Sequence, residues 1–436
     1  MAKNEGNSHR PFTFIDLFAG AGGLSEGFIQ TGFVPLAHVE MNEHASKTLQ
    51  TRCVYHYLKS NRIDLLPYYE YELGNISREE LFSSVPKTVY ETVLNKEISS
   101  NTINGIFETI DSIMKSASVK KVDLIIGGPP CQAYSLVGRA QSSHMLKPMD
   151  EDPRNYLYKM YAKFLSKYQP KMFVFENVPG IKTAQNGKAF SNLQKSLKDA
   201  GYEIDYHEQN AKDFGVLQNR KRIIIVGWKE GTSFVYPHFQ NTKSNAIVND
   251  LLSDLPPVER GGEANEYDVP FSKVSEYVVR NKIRTAKDVL TGHVARSNTD
   301  RDVKIYKRAI EAWFKKDMFE KPEHKRLHYN ELPNELKTHK NQTSFIDRFK
   351  VVEGDMPYCH TVLSHLSKDG HYFIHPDIKQ CRSITVREAA RLQSFPDNYF
   401  FEGNRTSQFV QIGNAVPPLM AKMIAESIKK ELEKGE

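Results

Sequence analysis

Apolar and polar residues follow two different periods in the first half of the chain. Short apolar runs, typical of buried strands, occur at residues 14–18, 34–39, 122–126, 172–175 and 223–226. Between them, apolar residues recur at intervals of three and four, which indicates helices over residues 24–31, 155–168 and 190–200. Strands that alternate with helices form a parallel sheet covered on both faces, so the pattern predicts an α/β fold.

Two segments depart from this alternation. Residues 77–120 carry apolar residues at helical spacing, and we interpret them as a helical insertion without chemistry of its own. Residues 262–383 are polar and basic without a clear period, which predicts a second, smaller domain of mixed structure. A capping box at Thr385 and Glu388 opens a helix, and an amphipathic helix follows Pro418. We therefore divide the chain into a tail at 1–11, a first domain at 12–261, the second domain at 262–383, and a return to the first domain at 384–436.

Positive charge is concentrated in the second predicted domain. The whole chain carries a formal net charge of +6, but residues 280–350 alone hold 18 Lys and Arg against 10 Asp and Glu. Basic charge gathered in one region is expected of a module that binds nucleic-acid phosphates.

Composition argues against membrane insertion, secretion and metal binding. No apolar run is long enough to span a bilayer, and residues 1–11 lack the apolar stretch of a signal peptide. A bacterial-type cytoplasm or a nucleus is therefore the expected compartment. The four cysteines form no C-x-x-C pair, so no zinc site or disulfide framework is expected.

A glycine-rich turn links the first predicted strand to the first helix. It has the sequence FAGAGG at residues 18–23, and glycine lets a backbone approach a ligand closely. Glu40 ends the next strand, about 20 residues on, where an acid can bind ribose hydroxyls. Ser25 follows where a dinucleotide motif would continue to its third glycine, which leaves open another adenosine cofactor or a purely structural turn.

Two side chains with chemical potential follow other predicted strands. Cys131 lies in GGPPCQ, where two prolines restrict the backbone that carries the thiol. Glu176 lies in FENVPG, directly after an apolar run. Both are expected at the edge of the sheet where α/β folds bind ligands, Cys131 as a nucleophile and Glu176 as a carboxyl that holds or shares a proton. The alternatives are a small buried cysteine and a helix-capping or surface acid.

A basic segment, QNRKR at residues 218–222, leads into the last predicted strand. Alternate residues of a strand share a face, so Gln218, Arg220 and Arg222 are expected to point together. Arginines in this arrangement suit a phosphate or a carboxylate, and a solvated basic patch is the alternative.

Together these motifs resemble the DNA cytosine-5 methyltransferase family of bacterial restriction–modification systems. In family order they are FIDLFAGAGGLSEGF, GGPPCQAYS, FVFENVPG, QNRKR, TVREAARLQSFPD and QIGNAVPP. They run from Phe14 to Pro418, so the resemblance covers nearly the whole chain. It implies a Rossmann-like, S-adenosylmethionine-dependent methyltransferase domain at 12–261, with a target recognition domain at 262–383.

The resemblance implies that S-adenosylmethionine binds at the glycine-rich turn. Glu40 would hold the ribose and Met41 would lie against the adenine. The family often has an acid before isoleucine at the adenine amino group, and the nearest match here is Asn75-Ile76. Either Asn75 substitutes through its side-chain carbonyl, or the alignment is wrong beside the insertion. The other residues implied in the pocket are Phe18, Ala19, Gly20, Gly22, Gly23, Leu24, Pro130, Leu157, Asn414 and Ala415.

The resemblance also implies a reaction at cytosine C5. The base would be flipped out of double-stranded DNA and bonded at C6 to Cys131. Glu176 would hydrogen-bond the base, Arg220 would support the base and the thiolate electrostatically, and Arg222 and Gln132 would complete the catalytic set. Residues 132–148 would form a loop that closes over the base. The residues expected to contact DNA are Ser135, Arg139, Lys304, Lys307, Arg308, Lys315 and Lys316, although a solvated helix face is the alternative for any single basic residue of the second domain.

Double-stranded DNA is the expected partner, and the chain is expected to be a monomer. A cognate restriction endonuclease, or another defence system acting on the same site, stays open as a second partner. Two other functions also stay open: an RNA cytosine-5 methyltransferase on the same scaffold, and a DNA-binding regulator without catalysis. Pro179 and the basic residues 280–350 favour DNA, and intact Cys131 and Glu176 favour an enzyme.

Overall fold

A computed structural model describes residues 10–130, 156–242, 244–316, 323–338 and 346–435. The α/β fold predicted from the sequence is confirmed. The strands are β1 (Thr13–Leu17), β2 (Val34–Glu40), β3 (Val93–Asn95), β4 (Leu124–Gly127), β5 (Met172–Asn177), β6 (Tyr202–Asn210) and β7 (Lys221–Lys229). They form one sheet in the order β3-β2-β1-β4-β5-β7-β6.

Some of the α-helices of the described residues pack on the sheet, and others belong to the C-terminal half of the chain. Their bounds are α1 (Gly23–Gln30), α2 (Glu43–Ser60), α3 (Leu66–Glu72), α4 (Arg78–Ser83), α5 (Ile103–Ser116), α6 (Leu157–Tyr168), α7 (Lys188–Asp199), α8 (Glu276–Arg280), α9 (Asp300–Trp313), α10 (Val386–Leu392), α11 (Arg405–Asn414) and α12 (Pro418–Lys434).

The sheet is mixed: the prediction of a parallel sheet is right for β1 to β5 and wrong for β7, which runs against its neighbours. β1 to β5 pair in parallel, whereas β7 runs antiparallel to both β5 and β6. The apolar pattern did not predict β6, since its sequence YEIDYHEQN is largely polar. β6 pairs only with β7, at the edge of the sheet, and an edge strand can expose polar side chains that a central strand would have to bury.

Residues 77–120, which we interpreted from the sequence as an insertion, contribute a strand to the sheet. They supply β3, the edge strand, which pairs in parallel with β2 from His38↔Val93 to Glu40↔Asn95. They also supply the expected helix as α5, which buries Ile106 and Ile110 in the core. A strand of three residues is too short to show a period in the sequence.

Alternate residues of the central strands pack into two hydrophobic cores, one on each face of the sheet. Ile125 and Phe173 pack with residues of α5, α6 and α7. Leu124 and Val174 pack on the other face with residues of α1 and α12. Gly27 allows α1 and α12 to approach backbone to backbone, because a Cβ there would lie 2.2 Å from the amide nitrogen of Lys422.

Residues 262–383 contribute to two further hydrophobic clusters. Around α9, Trp313 and Phe349 belong to one of them. Val362 and Phe373 belong to the other, together with residues of α10 and α11. The surroundings of α9 therefore have a core of their own, whereas residues 352–373 share a core with the C-terminal helices.

The capping box predicted before α10 is confirmed. The Thr385 hydroxyl accepts a hydrogen bond from the backbone of Glu388, and the Glu388 carboxylate accepts one from the backbone of Thr385. Arg382, fully buried, donates to both oxygens of the same carboxylate at 2.7 and 2.8 Å. Burial acts to raise the pKa of Glu388, but Arg382 and His375 outweigh it, so the pKa is lowered.

Candidate active site

The glycine-rich turn lies at the carboxyl end of β1, and Glu40 lies beside it at the end of β2. The amide of Gly20 donates to Oε2 of Glu40 at 2.8 Å, and the amide of Asn42 donates to Oε1 at 2.7 Å. Burial raises the pKa of Glu40, although both hydrogen bonds act in the opposite direction. Gly20 has a φ of +56°, and a Cβ built on it would have no atom within 4 Å, so open space adjoins the turn.

The C-terminal segment packs against the same turn. A Cβ on Gly23 would lie 2.3 Å from the carbonyl oxygen of Val416 and 3.0 Å from Cβ of Ala415, so only glycine fits there. The Tyr399 hydroxyl donates to the carbonyl of Ala21 at 2.5 Å. The turn is therefore held between the sheet and residues that come almost 400 positions later.

The remaining residues expected around the cofactor differ in exposure. Leu24, in the first turn of α1, is buried in the hydrophobic core, whereas Met41 is 63% exposed. Phe18, Pro130 and Leu157 are half-buried, and Asn414 is exposed.

The structure does not place Asn75 and Ile76 at this edge of the sheet. Asn75 is exposed beyond the end of α3, where its side chain donates to Glu70 at 2.7 Å. The strand that ends beside Glu40 is instead β3, and Glu97-Ile98 follows it two residues later. The sequence pattern gave no signal for β3, and residues 77–120 were interpreted as an insertion, so Glu97 was not recognised as an acid at the end of a strand.

Glu176 occupies the carboxyl end of β5, as expected, and is paired with Arg222. Arg222 Nε lies 2.6 Å from Glu176 Oε1, with the two side chains 10% and 13% exposed. Gly128, at the end of the neighbouring β4, allows the carboxylate to lie against the backbone, because a Cβ there would lie 2.6 Å from Oε2. The side chain of Asn177 donates to the carbonyl of Pro129 at 3.3 Å and links the two strand ends.

Cys131 and Gln132 lie outside the described residues, as do Ser135 and Arg139. Of the GGPPCQ segment, the structure therefore describes residues 127–130, which lie at the same edge of the sheet as Glu176.

Arg220 has a different environment from the one predicted. It precedes β7, is fully buried, and donates to the backbone carbonyls of Val362, Gly413 and Ala415 at 2.7 to 3.0 Å. Gln218 accepts from the amide of Val362 at 3.0 Å. The expectation that Gln218, Arg220 and Arg222 point together is wrong. The Arg222 side chain contacts Glu176, whereas Gln218 and Arg220 bind backbone groups of Val362, and Arg220 also binds those of residues 413 and 415.

A basic surface lies on α9. Its residues Lys304, Lys307 and Arg308 are exposed, while Ile305, Tyr306 and Trp313 of the same helix are buried. Lys315 and Lys316, just beyond the helix, are also exposed, and Lys315 pairs with Glu323 at 3.4 Å.

The described residues contain neither a membrane-crossing helix nor a cluster of metal ligands. No helix in them is sufficiently long and apolar to cross a membrane. No group of three or more His, Cys, Asp or Glu side chains in them is arranged to hold a metal ion.

Comparison with known proteins identifies the family. A model of the C-5 cytosine-specific DNA methylases matches residues 12–75 and 87–430. The chain belongs to this family.

Curated relatives of this DNA methylase include bacterial Type II methyltransferases that match it over most of their length. Type II methyltransferase M.Bpa9945I of Bacillus paralicheniformis is 42% identical over 95% of this chain and 98% of its own. Type II methyltransferase M.DdeI of Desulfomicrobium norvegicum is 30% identical over 95% of this chain and 88% of its own. The chain is therefore an enzyme of the DNA (cytosine-5) methyltransferase kind, as the sequence predicted.

Solved structures show that the fold of this DNA methylase is shared. A candidate DNA modification methyltransferase encoded within an E. coli prophage is similar at a TM-score of 0.62, with 22% identity over 97% of this chain and 99% of that one. The Entamoeba histolytica methyltransferase EhMeth is similar at a TM-score of 0.55, with 14% identity over 98% and 99%. The family implies S-adenosylmethionine as the methyl donor and DNA as the substrate.

Proposed function

We propose that this methylase transfers a methyl group from S-adenosylmethionine to C5 of a cytosine flipped out of a specific double-stranded DNA sequence, through a covalent bond between Cys131 and C6. The observation that carries this proposal is the Glu176–Arg222 pair at the end of β5, beside the Gly-Gly-Pro-Pro turn that leads to Cys131. A carboxylate held there by a guanidinium, at the ligand-binding edge of the sheet, suits recognition of a polar ring edge.

The residues at the ends of β1, β2 and β3 fit the methyl donor, which when bound supplies a methyl group on a positively charged sulfur. Glu40 accepts hydrogen bonds from the ribose hydroxyls, and Met41 packs against the adenine. Glu97, which precedes Ile98, accepts a hydrogen bond from the adenine amino group in place of Asn75. Open space beside Gly20 leaves room for the ligand. The other proposed contacts are Phe18, Ala19, Gly22, Gly23, Leu24, Pro130, Leu157, Asn414 and Ala415.

The catalytic steps begin with the Cys131 thiolate. Its sulfur attacks C6 of the cytosine, and the new Sγ–C6 bond makes C5 nucleophilic enough to take the methyl group. Glu176 shares a proton with N3 and accepts a hydrogen bond from the exocyclic amine, which stabilises the charge that develops on the ring, while Arg222 holds the carboxyl group in place. A base then removes the C5 proton, the electron pair re-forms the C5–C6 double bond, and the Sγ–C6 bond breaks.

Arg220 acts at a distance from this chemistry in our proposal. Its hydrogen bonds to Gly413 and Ala415 fix the segment that packs on the glycine-rich turn, and its bond to Val362 fixes residues of the region assigned to target recognition. We also propose that the exposed residues Lys304, Lys307, Arg308, Lys315 and Lys316 contact DNA phosphates, which position the protein without reading sequence.

The relatives named Type II methyltransferases suggest the biological setting. We propose that this chain is also a Type II methyltransferase and that a cognate restriction endonuclease, or another defence system, acts on the same site. We further propose that it works on DNA in a bacterial cytoplasm.

Trapping the covalent bond tests the proposal. Bisulfite sequencing of DNA from cells that express the chain first gives the methylated site. A duplex with 5-fluorocytosine at that position is then incubated with the enzyme and S-adenosylmethionine. We expect an adduct that survives denaturation, because C5 carries fluorine instead of the hydrogen whose removal would release the cysteine.

Cys131→Ser should form no such adduct, and Cys53→Ser is the matched control, since Cys53 is half-buried whereas Cys359 and Cys381 are buried. An adduct formed equally well by Cys131→Ser would remove Cys131 from the mechanism. Methylation of RNA instead of DNA would favour the alternative substrate.

A further inference from the structure

The side chain of Asn95 connects the last residue of β3 to the residues that end β2. Its amide nitrogen lies 3.1 Å from the carbonyl oxygen of Glu40, 3.0 Å from that of Met41 and 3.0 Å from Oγ of Ser46. Carbonyl oxygens only accept hydrogen bonds, so the nitrogen rather than the oxygen of the amide must face them. The Ser46 hydroxyl donates its own hydrogen to the Glu40 carbonyl at 3.1 Å, and this leaves its oxygen free to accept from Asn95.

Residues 40–42, whose backbone Asn95 contacts, are held by several hydrogen bonds. Met41 is 63% exposed, the highest value among the exposed large hydrophobic side chains of the described residues. Asn42 caps α2 by accepting from the amide of Ala45 at 3.0 Å and donates from its own amide to Glu40. Since most of the Met41 side chain faces solvent, its position depends strongly on the backbone of residues 40 and 41, whose carbonyls Asn95 binds.

We propose that Asn95 is a positioning residue for the nucleoside of the methyl donor. By binding the carbonyls of Glu40 and Met41, it fixes the backbone from which the Glu40 carboxylate and the Met41 side chain are presented. The inference rests on the proposed function, because it needs S-adenosylmethionine to bind at this edge of the sheet. Asn95 itself is exposed, so its replacement leaves the core intact.

Titration calorimetry with S-adenosylmethionine on the full chain tests the proposal. Loss of neutral hydrogen bonds of this kind is expected to raise the dissociation constant of Asn95→Ala roughly three- to tenfold. The turnover number at saturating S-adenosylmethionine should stay at the wild-type value, since Asn95 contacts no reacting group. Asn95→Asp, of the same size, should bind more weakly still, because it places an acceptor opposite two carbonyl oxygens.

Asn75→Ala is the matched control, since Asn75 is also exposed and bonds to Glu70; its affinity should be that of the wild type. A double-mutant cycle with Met41→Ala locates the effect: the loss from Asn95→Ala should shrink when the Met41 side chain is absent.

Three results would overturn the proposal: unchanged affinity in both Asn95 variants, fully additive losses in the cycle, or a fall in melting temperature and turnover number together. A wild-type chain that binds no S-adenosylmethionine would instead refute the proposed function.

Discussion

Replacing Gly128 by alanine is expected to slow methyl transfer without weakening cofactor binding. The added Cβ would lie 2.6 Å from Oε2 and 3.2 Å from the backbone oxygen of Glu176. The φ of Gly128 lies outside the left-handed region, so the added methyl group creates no backbone strain. Gly128 directly follows the last β4–β5 pair, Gly127↔Phe175, and the backbone of Glu176 is paired with Ile224 of β7, so the Glu176 side chain is the part that moves most readily.

The size of the effect follows from the displacement. An ordinary contact begins at 3.4 Å, so the carboxylate must retreat by about 0.8 Å and lose its short contact with Arg222. A misplacement of about 1 Å at a reacting centre costs roughly 100-fold in rate. That factor corresponds to about 2.7 kcal/mol of activation free energy.

Single-turnover methylation of the duplex site, with saturating S-adenosylmethionine, measures this rate, and calorimetry measures the cofactor affinity. Gly105→Ala is the control variant: it lies in α5, its added Cβ meets no atom within 4 Å, and alanine there should stabilise the helix by about 0.5–1 kcal/mol. A Gly128→Ala enzyme as fast as the wild type would show that the position of Glu176 does not limit the chemistry.

Three other changes have expected outcomes. Burial raises the pKa of Glu72 from 4.5 to about 8, with Arg387 opposing the shift and Asp288 adding to it, so the folded chain keeps a proton that the unfolded chain has released. The stability that Glu72 contributes should fall as pH rises through this window, and Glu72→Gln should flatten the pH dependence of the urea midpoint between about pH 5 and about pH 8. Gly27→Ala should lower the free energy of unfolding by about 1–3 kcal/mol or more, measured by denaturant titration, because its Cβ would meet the backbone of α12; a loss no larger than that of Gly105→Ala would contradict this packing. Neutralising Lys304, Lys307 and Arg308 together should weaken binding to all duplexes alike and reduce the salt slope by roughly one unit per lost phosphate contact; fluorescence anisotropy at several salt concentrations that shows an unchanged slope would place the DNA elsewhere.

The parts of the fold that could be predicted are those where burial determines residue type. β4 and β5 are covered on both faces, so their sequences are continuous apolar runs that stand out in the chain. The places of Glu40 and Glu176 at the carboxyl edge of the sheet followed from the apolar runs of β2 and β5, because side chains at the ends of buried parallel strands lie at that edge.

The parts that could not be predicted are set by partners distant in sequence. β3 is a three-residue strand whose place is fixed by pairing with β2, and β6 is a polar edge strand fixed by pairing with β7. No local pattern shows that Arg220 binds carbonyls almost 200 residues away, although alternation along a strand suggested a common face with Arg222. Asn75 was matched to the family's acid because β3, which Glu97 follows, has no local signal.

The packing of α12 on α1 means that one globular unit is assembled from two distant stretches of the chain. A break within residues 262–383 would yield two fragments, each exposing part of one apolar surface: Phe28 and Leu124 on the first, Ile424 and Ile428 on the second. Each fragment would find its missing contacts on the other, and the glycine-rich turn would regain Val416 only on their association. Activity in such a mixture would depend on the concentrations of both fragments, so methylation could be controlled by whatever brings the two together.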